Sequence, residues 1–191
     1  PALWTIERYA RELEQVRTGM GLGPVHLLGQ SWGGWLAIEY ALTFPDGLKT
    51  LILSNTAGDL PHLVEELNRL RSTLGPETVT MMQKREAEGS IEHPEYLAAV
   101  EILNWRHVHR LEAMPPALQR SMDGMVFDIY NAMQGPNEFV YIGNLKDWNR
   151  VPDMHRITQP AYIIVGEHDE LTPACAMKMH HALPDSTLRV F

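Results

Sequence analysis

Val25-His26-Leu27-Leu28-Gly29-Gln30-Ser31-Trp32-Gly33-Gly34 is the stretch that decides how the rest of the chain is read. Its first five residues are a short apolar run of the kind that builds a central buried strand. From Trp32 to Phe44, Trp35, Leu36, Ile38, Ala41 and Leu42 offer apolar faces at helical spacing. Between the two lies Gly29-Gln30-Ser31-Trp32-Gly33, which matches G-x-S-x-G in the strand–turn–helix context that the motif requires. So sharp a turn forces its serine into a strained backbone geometry and pushes the hydroxyl into the open. A strand is expected to end at Leu28 and a helix to begin at about Trp32. Glycines are expected at 29 and 33 because a Cβ at either would strike the neighbouring strand or helix, with Gly34 extending the clearance. The backbone N–H of Trp32, at the helix N-terminus, is the expected donor to an oxyanion. The five-residue pattern alone is common by chance, and the plain alternative is a tight turn with an incidental serine; the flanking strand and helix make the match specific.

Upstream, Leu3, Ile6, Tyr9, Ala10, Leu13 and Val16 recur at helical spacing with charged residues between them, the pattern of an amphipathic surface helix. Gly19-Met20-Gly21-Leu22-Gly23 precedes the strand, where a nucleotide loop would follow one, so it reads as a helix-to-strand turn. Downstream, Pro45-Asp46-Gly47 stops the second helix, and Leu48 to Asn55, with Leu51-Ile52-Leu53 inside it, reads as a second buried strand. Strand, helix, strand in that order implies parallel pairing through a right-handed crossover. The texture then changes. From Ala57 to Asn149 the apolar residues fall at helical spacing, in the groups Leu63, Leu67 and Leu70, then Tyr96, Val100 and Leu103, then Met122, Met125 and Ile129. Roughly 90 residues of helix between two sheet strands predict an inserted helical cap. Ala161 to Val165 resumes the sheet, Pro173 to Ala182 is helical, and Thr187 to Phe191 begins a further strand. The expected organisation is an α/β core in two parts, residues 1–56 and 150–191, around a cap of residues 57–149. The 10 methionines, several of them in the cap, read first as filler between helices and second as an adaptable pocket.

The 191 residues, 45% of them hydrophobic, suit one globular core with or without an inserted subdomain. Lys and Arg number 16 against 24 Asp and Glu, a net charge of −8, and no basic stripe forms, which argues against a nucleic-acid partner. No apolar run approaches the ~18–20 residues of a membrane span, and no charged-then-apolar leader stands at Pro1. Cys175 is alone, which excludes an internal disulfide, suits a reducing compartment, and reads as a small buried apolar residue. Both ends look cut, since the chain opens directly into a helical pattern and stops at Phe191 inside a strand.

A serine hydroxyl becomes a nucleophile when a base accepts its proton, and the base must be oriented by an acid. Gly166-Glu167-His168-Asp169 directly follows Ile163-Ile164-Val165, on the loop where this arrangement places its acid. Asp169 is therefore the candidate, and a turn-forming aspartate is the plain alternative. The histidine belongs after Asp169 and beyond the next strand. His180 and His181 follow Asp169 but fall in the helix before that strand and read as helix-end residues. His168 precedes the acid and is a candidate lining group only; His26, His62, His93, His107, His109 and His155 all come too early. The base is thus expected beyond Phe191. His107 and His109 are too close together for an i, i+4 metal pair, and no metal site is assigned.

Taken together, Gly29 to Gly34, Gly135-Pro136-Asn137-Glu138-Phe139, Lys146-Asp147-Trp148 and Gly166-Glu167-His168-Asp169-Glu170-Leu171-Thr172-Pro173 resemble the proline iminopeptidase family, most closely its tricorn-interacting aminopeptidase branch. The resemblance covers nearly the whole chain. It implies an α/β-hydrolase fold with a parallel central sheet and an inserted helical cap, truncated here at both ends. It implies a serine aminopeptidase that releases N-terminal residues, proline or other mainly apolar ones, from short peptides or aminoacyl substrates, with no metal or organic cofactor. Glu138 and Glu170 match the family's amine-anchoring glutamates. The family's His-Gly-Gly-Pro-Gly-type loop, source of the other oxyanion N–H, is expected before Pro1. The family and Cys175 together suggest a cytoplasmic location.

Two other readings compete. An esterase or amidase of the same fold acting on small neutral substrates would use the same nucleophile and acid, so the cap must decide between them. A noncatalytic binding protein on the same scaffold is the third, and it would lack a histidine after the last strand.

Overall fold

The computed structural model describes residues 3–191, so the absence of a leader read at Pro1 lies outside the described residues. Helix α1 (Ile6–Gly19) starts at Thr5, whose hydroxyl accepts the N–H of Arg8 at 3.3 Å. The apolar pattern reaches back to Leu3, but Leu3 precedes this cap and is exposed, and the buried side of the helix is Ile6 and Ala10. Arg17 ends the helix. It donates to both carboxylate oxygens of Glu14 at 2.7 Å and to the carbonyls of Leu22 at 2.6 Å and Gly23 at 2.9 Å. The glycine-rich stretch is therefore a turn folded onto its own helix, aided by the left-handed φ of 68° at Gly21.

The chain continues through β1 (Val25–Gln30), α2 (Trp32–Thr43) and β2 (Leu48–Ser54). Five helices follow: α3 (Leu60–Ser72), α4 (Pro76–Glu88), α5 (Pro94–His107), α6 (Pro116–Asp123) and α7 (Phe127–Met133). Strand β3 (Ala161–Val165), α8 (Pro173–Ala182) and β4 (Ser186–Val190) complete it. The four strands pair in the order β1-β2-β3-β4, all parallel, with Gly29 opposite Leu53, Leu53 opposite Ile163 and Ile163 opposite Leu188. Leu48, Leu51, Leu53, Ala161, Ile163 and Val165 form the sheet's buried part of one continuous core, with Trp35 and Ile38 from α2 and Cys175, Ala176 and Met179 from α8.

Two expectations for the decisive stretch need correction. Among the described residues β1 pairs with β2 alone, its residues alternate in exposure, and Leu28 is 60% exposed. It also runs on to Gln30, because pairing with β2 continues to Ser54. The second crowded glycine is Gly34 and not Gly33. A Cβ at Gly29 would overlap the Gly33 carbonyl and one at Gly34 would overlap the Thr56 side chain, whereas a Cβ at Gly33 meets nothing within 4 Å.

The inserted helices are tied to the core where they leave and return. Asp59 and Asn149 form an isolated antiparallel bridge, with Leu60 N–H donating to Trp148 O at 3.0 Å and Arg150 N–H to Gly58 O at 2.8 Å. Glu39, buried on α2, accepts from Trp148 Nε1 at 3.3 Å and from Arg150 Nε at 2.8 Å. The first two expected apolar groups are buried faces of α3 and α5. The third is split: Met122 is half-exposed on α6, Met125 lies between helices and Ile129 belongs to α7.

The clash geometry separates two substitutions that look alike in sequence. Gly29→Ala should destabilise the fold by about 1–3 kcal/mol or more, because backbone must move. Gly33→Ala should be neutral or stabilise by up to about 1 kcal/mol as a helical Gly-to-Ala change. Urea denaturation of both variants checks this, and equal losses would contradict the packing described.

Candidate active site

Ser31 sits between β1 and α2 with φ 51° and ψ −123°, a conformation that L-residues other than glycine rarely adopt. It is clasped by the end of β2. Its N–H donates to Ser54 O at 3.1 Å and Asn55 O at 3.0 Å, and its carbonyl accepts from the Thr56 hydroxyl at 2.8 Å and from Gly34 N–H at 2.8 Å. Both peptide groups of the strained residue are thereby satisfied. The side chain is free to project, and Ser31 is half-buried. Trp32 is the first residue of α2, so its N–H has no acceptor within the helix.

Asp169 lies on the loop after β3, half-buried. Its carboxylate accepts from Leu171 N–H at 2.8 Å and from the Asn55 side-chain amide. Asn55 thus joins the two candidates, with its backbone carbonyl on Ser31 and its amide on Asp169. Burial raises the Asp169 pKa, opposed by the bonds from Leu171 and Asn55 and by the neighbouring His107. Asn55 was not singled out from sequence. Its only signal is an asparagine at a strand end, where it takes a left-handed φ of 45°.

A cavity of about 380 Å³ opens above Ser31, lined by Tyr9, Trp32, Met125, Val126, Ile129, Tyr130, Met133, Gln134 and Glu138. Its walls are largely apolar, and its polar groups cluster around one carboxylate. Glu138 accepts from the Tyr130 hydroxyl at 2.9 Å and from Gln134 Nε2 at 2.9 Å. Met125 and Met133 belong to this cavity, so the adaptable-pocket reading fits those two, while Met82, Met154 and Met179 are core filler. Tyr9 enters from α1 and packs edge-on against Trp32 with ring centroids 5.3 Å apart.

Glu170 departs from expectation. Its place next to Asp169 in sequence suggests the mouth of the site, yet it is 7% exposed and is not among the groups lining the Ser31 cavity. The end of α5 covers it: Glu170 N–H donates to His107 O at 3.2 Å, and His107 Nδ1 bonds His168 O at 2.8 Å. Burial raises its pKa well above the ordinary value, with the charges of Glu138 and then Asp169 adding to the shift. His168 itself is exposed, and His180, on the last turn of α8, is bonded to Ser186 Oγ at 2.7 Å. Cys175 is buried, which raises its thiol to about 11. Among the described residues no group of three or more His, Cys, Asp or Glu is placed to hold a metal ion, and no helix is long and apolar enough to cross a membrane.

The alpha/beta hydrolase fold family matches residues 2–191, and the chain belongs to that family. Within it, the chain is similar to proline iminopeptidases. It is 37% identical to that of Saccharolobus solfataricus and 35% identical to that of Heyndrickxia coagulans, each over 190 residues, covering 98% and 99% of this chain. It spans 61% and 66% of the length of those relatives. Among solved structures, VinJ superposes with a TM-score of 0.93 at 32% identity and the proline iminopeptidase of Mycobacterium smegmatis with 0.89 at 36%. Both cover 100% of this chain, which spans 65% and 64% of theirs.

The buried carboxyls predict a pH dependence of stability. A carboxyl whose folded pKa lies above its unfolded value near 4.5 binds more protons folded than unfolded. Its contribution is fully present below the unfolded value and is lost as pH rises through the folded one. Stability should therefore be lower at neutral pH than at about pH 4.5, and Glu170→Gln should flatten that fall, leaving the part due to Asp169. Denaturation at both pH values checks this; an unchanged slope in the variant would contradict it.

Proposed function

We propose that the chain is the greater part of a serine aminopeptidase of the proline iminopeptidase type, releasing N-terminal residues, proline or other mainly apolar ones, from short peptides. The observation that carries the proposal is that Ser31 and Glu138 line one cavity whose remaining walls are mostly apolar. An enzyme that cuts after the first residue must measure from the substrate ammonium to the scissile carbonyl. A carboxylate at a fixed distance from the nucleophile does so through charge-assisted hydrogen bonds, worth about 1.5–3 kcal/mol each.

In this mechanism the Ser31 hydroxyl attacks the first peptide carbonyl, and the backbone N–H of Trp32 receives the developing oxyanion. A histidine oriented by Asp169, contributed from beyond Phe191, takes the serine proton and returns it to the leaving amine. The acyl-enzyme is then hydrolysed by water. Residues 57–149 act as the cap that closes over the substrate. Glu138 meets the ammonium directly, while Glu170, buried outside the cavity, adds its field only when an arriving ammonium favours its ionisation. Nucleophile, acid and anchors are all side chains, so no cofactor enters any step. The similarity to proline iminopeptidases supports a peptide substrate, and the single free thiol of Cys175 supports a cytoplasmic location.

The esterase reading shares the nucleophile and acid, so the anchors are the place to separate the two. In the full-length protein, Glu138→Gln and Glu170→Gln should each lower kcat/KM for aminoacyl substrates with a free amine by about tenfold or more, since ~1.4 kcal/mol is tenfold. N-acetylated analogues should be poor substrates, and the loss on an aryl acetate should be several-fold smaller. Equal losses on both substrate types would put the esterase reading ahead.

A further inference from the structure

Glu138 is held from the far side of the inserted helices as well as from the cavity. Asn137, the residue before it, uses both ends of its side-chain amide. Its Oδ1 accepts from Phe139 N–H at 2.9 Å, and its Nδ2 donates to the Tyr96 hydroxyl at 3.1 Å. The Tyr96 hydroxyl donates to Glu86 Oε1 at 3.0 Å, and Arg71 Nη2 donates to the same oxygen at 2.7 Å. The chain of bonds therefore runs from α3 through α4 and α5 to the segment that carries Glu138.

Its direction is forced. Tyr96 is 1% exposed, and its hydroxyl is pushed up to about 12, chiefly by burial and also by Glu86, so it keeps its one proton. That proton goes to the carboxylate, which can only accept beside Arg71. The tyrosine oxygen is left as an acceptor, so Asn137 must turn its amide nitrogen toward Tyr96 and its oxygen toward Phe139 N–H. The backbone on both sides of Glu138 is thus fixed by a group that never meets the cavity. The segment is also tight, since a Cβ at Gly135 would overlap the Val140 carbonyl. On the cavity side, Gln134 Nε2 bonds both Tyr130 Oη, at 2.8 Å, and Glu138.

We propose that Asn137 and Tyr96, backed by the Glu86–Arg71 pair, are positioning residues that fix the Glu138 carboxylate relative to Ser31 and so set the length from ammonium to scissile carbonyl. The inference rests on the reading of Glu138 as the amine anchor. It predicts a loss confined to recognition of the amine, because neither side chain touches Ser31, Trp32 or Asp169.

The test uses the full-length protein with Tyr96→Phe, Asn137→Ala and the double variant, assayed on an aminoacyl anilide with a free amine and on an aryl acetate. Each single variant should raise KM for the anilide about fivefold to tenfold with kcat within about twofold, and leave aryl acetate turnover within about twofold. The double variant should lose less than the two single losses combined, because both substitutions remove the Asn137–Tyr96 hydrogen bond. Either substitution placed on Glu138→Gln should add little on the anilide. Tyr96→Phe removes a single oxygen atom and carries the test if Asn137→Ala does not fold. Equal losses on both substrates, or a fall in melting temperature with no change in KM, would show a purely structural network and overturn the proposal. Were Glu138→Gln itself to leave anilide KM unchanged, the anchor reading would fail and this inference with it. If Glu138→Gln raises KM while Tyr96→Phe and Asn137→Ala do not, the inference alone fails.

Discussion

The backbone of Ser31 is the constraint on which the rest of the site depends. A non-glycine residue at φ 51° and ψ −123° costs about 1–3 kcal/mol, and it persists only where its surroundings leave no alternative. Those surroundings come from the end of β2. The carbonyls of Ser54 and Asn55 take the serine N–H, and the Thr56 hydroxyl takes its carbonyl. Parallel pairing of β1 with β2, in register to Gln30 and Ser54, brings that clasp level with the turn. Gly29 and Gly34 let strand, turn and helix approach closely enough for it to close. The same strand end reaches the acid loop, since Asn55 bonds both Ser31 and Asp169. Ser31 and Asp169 are spaced by one asparagine, and the sheet register sets where that asparagine stands.

Above this platform the inserted helices build an opposite environment. Three of the groups facing Ser31 are the apolar side chains of Met125, Ile129 and Met133, which hold little water and strengthen any charge interaction among them. Glu138 stands in this wall, and Glu170 is buried outside the cavity. Ionising Glu170 is unfavourable, chiefly because it is buried and secondly because of the Glu138 charge. It becomes favourable beside a cation. Under the proposed function, this is a physical reason for an ammonium-bearing substrate to be preferred over a neutral one.

Much of the fold was legible because its signals are local. The apolar runs at Leu51 to Leu53 and Ala161 to Val165, the G-x-S-x-G turn between strand and helix, and the helical stretch from Pro173 to Ala182 each depend on residues near in sequence. The roles of Ser31 and Asp169 as candidates could be read from their places after strands. What sequence could not supply depends on packing between distant segments. Asn55 looks like any polar residue after a strand until β3 brings Asp169 beside it. Gly33 and Gly34 are indistinguishable until Thr56 packs against one of them. Glu170 stands next to a loop residue in sequence, which suggested exposure, yet α5 folds over it through His107. Tyr9 reads as part of a surface helix until Trp32 meets it.

The central claim is that the clasped serine is the one that forms a covalent bond with substrate. Treating the full-length protein with an aryl phosphonate that labels activated serines, followed by peptide mass mapping, tests it most directly. The account predicts a single adduct on the peptide containing Ser31, slowed by a competing aminoacyl substrate and absent in Ser31→Ala. Labelling at another serine, or undiminished labelling in Ser31→Ala, would contradict it.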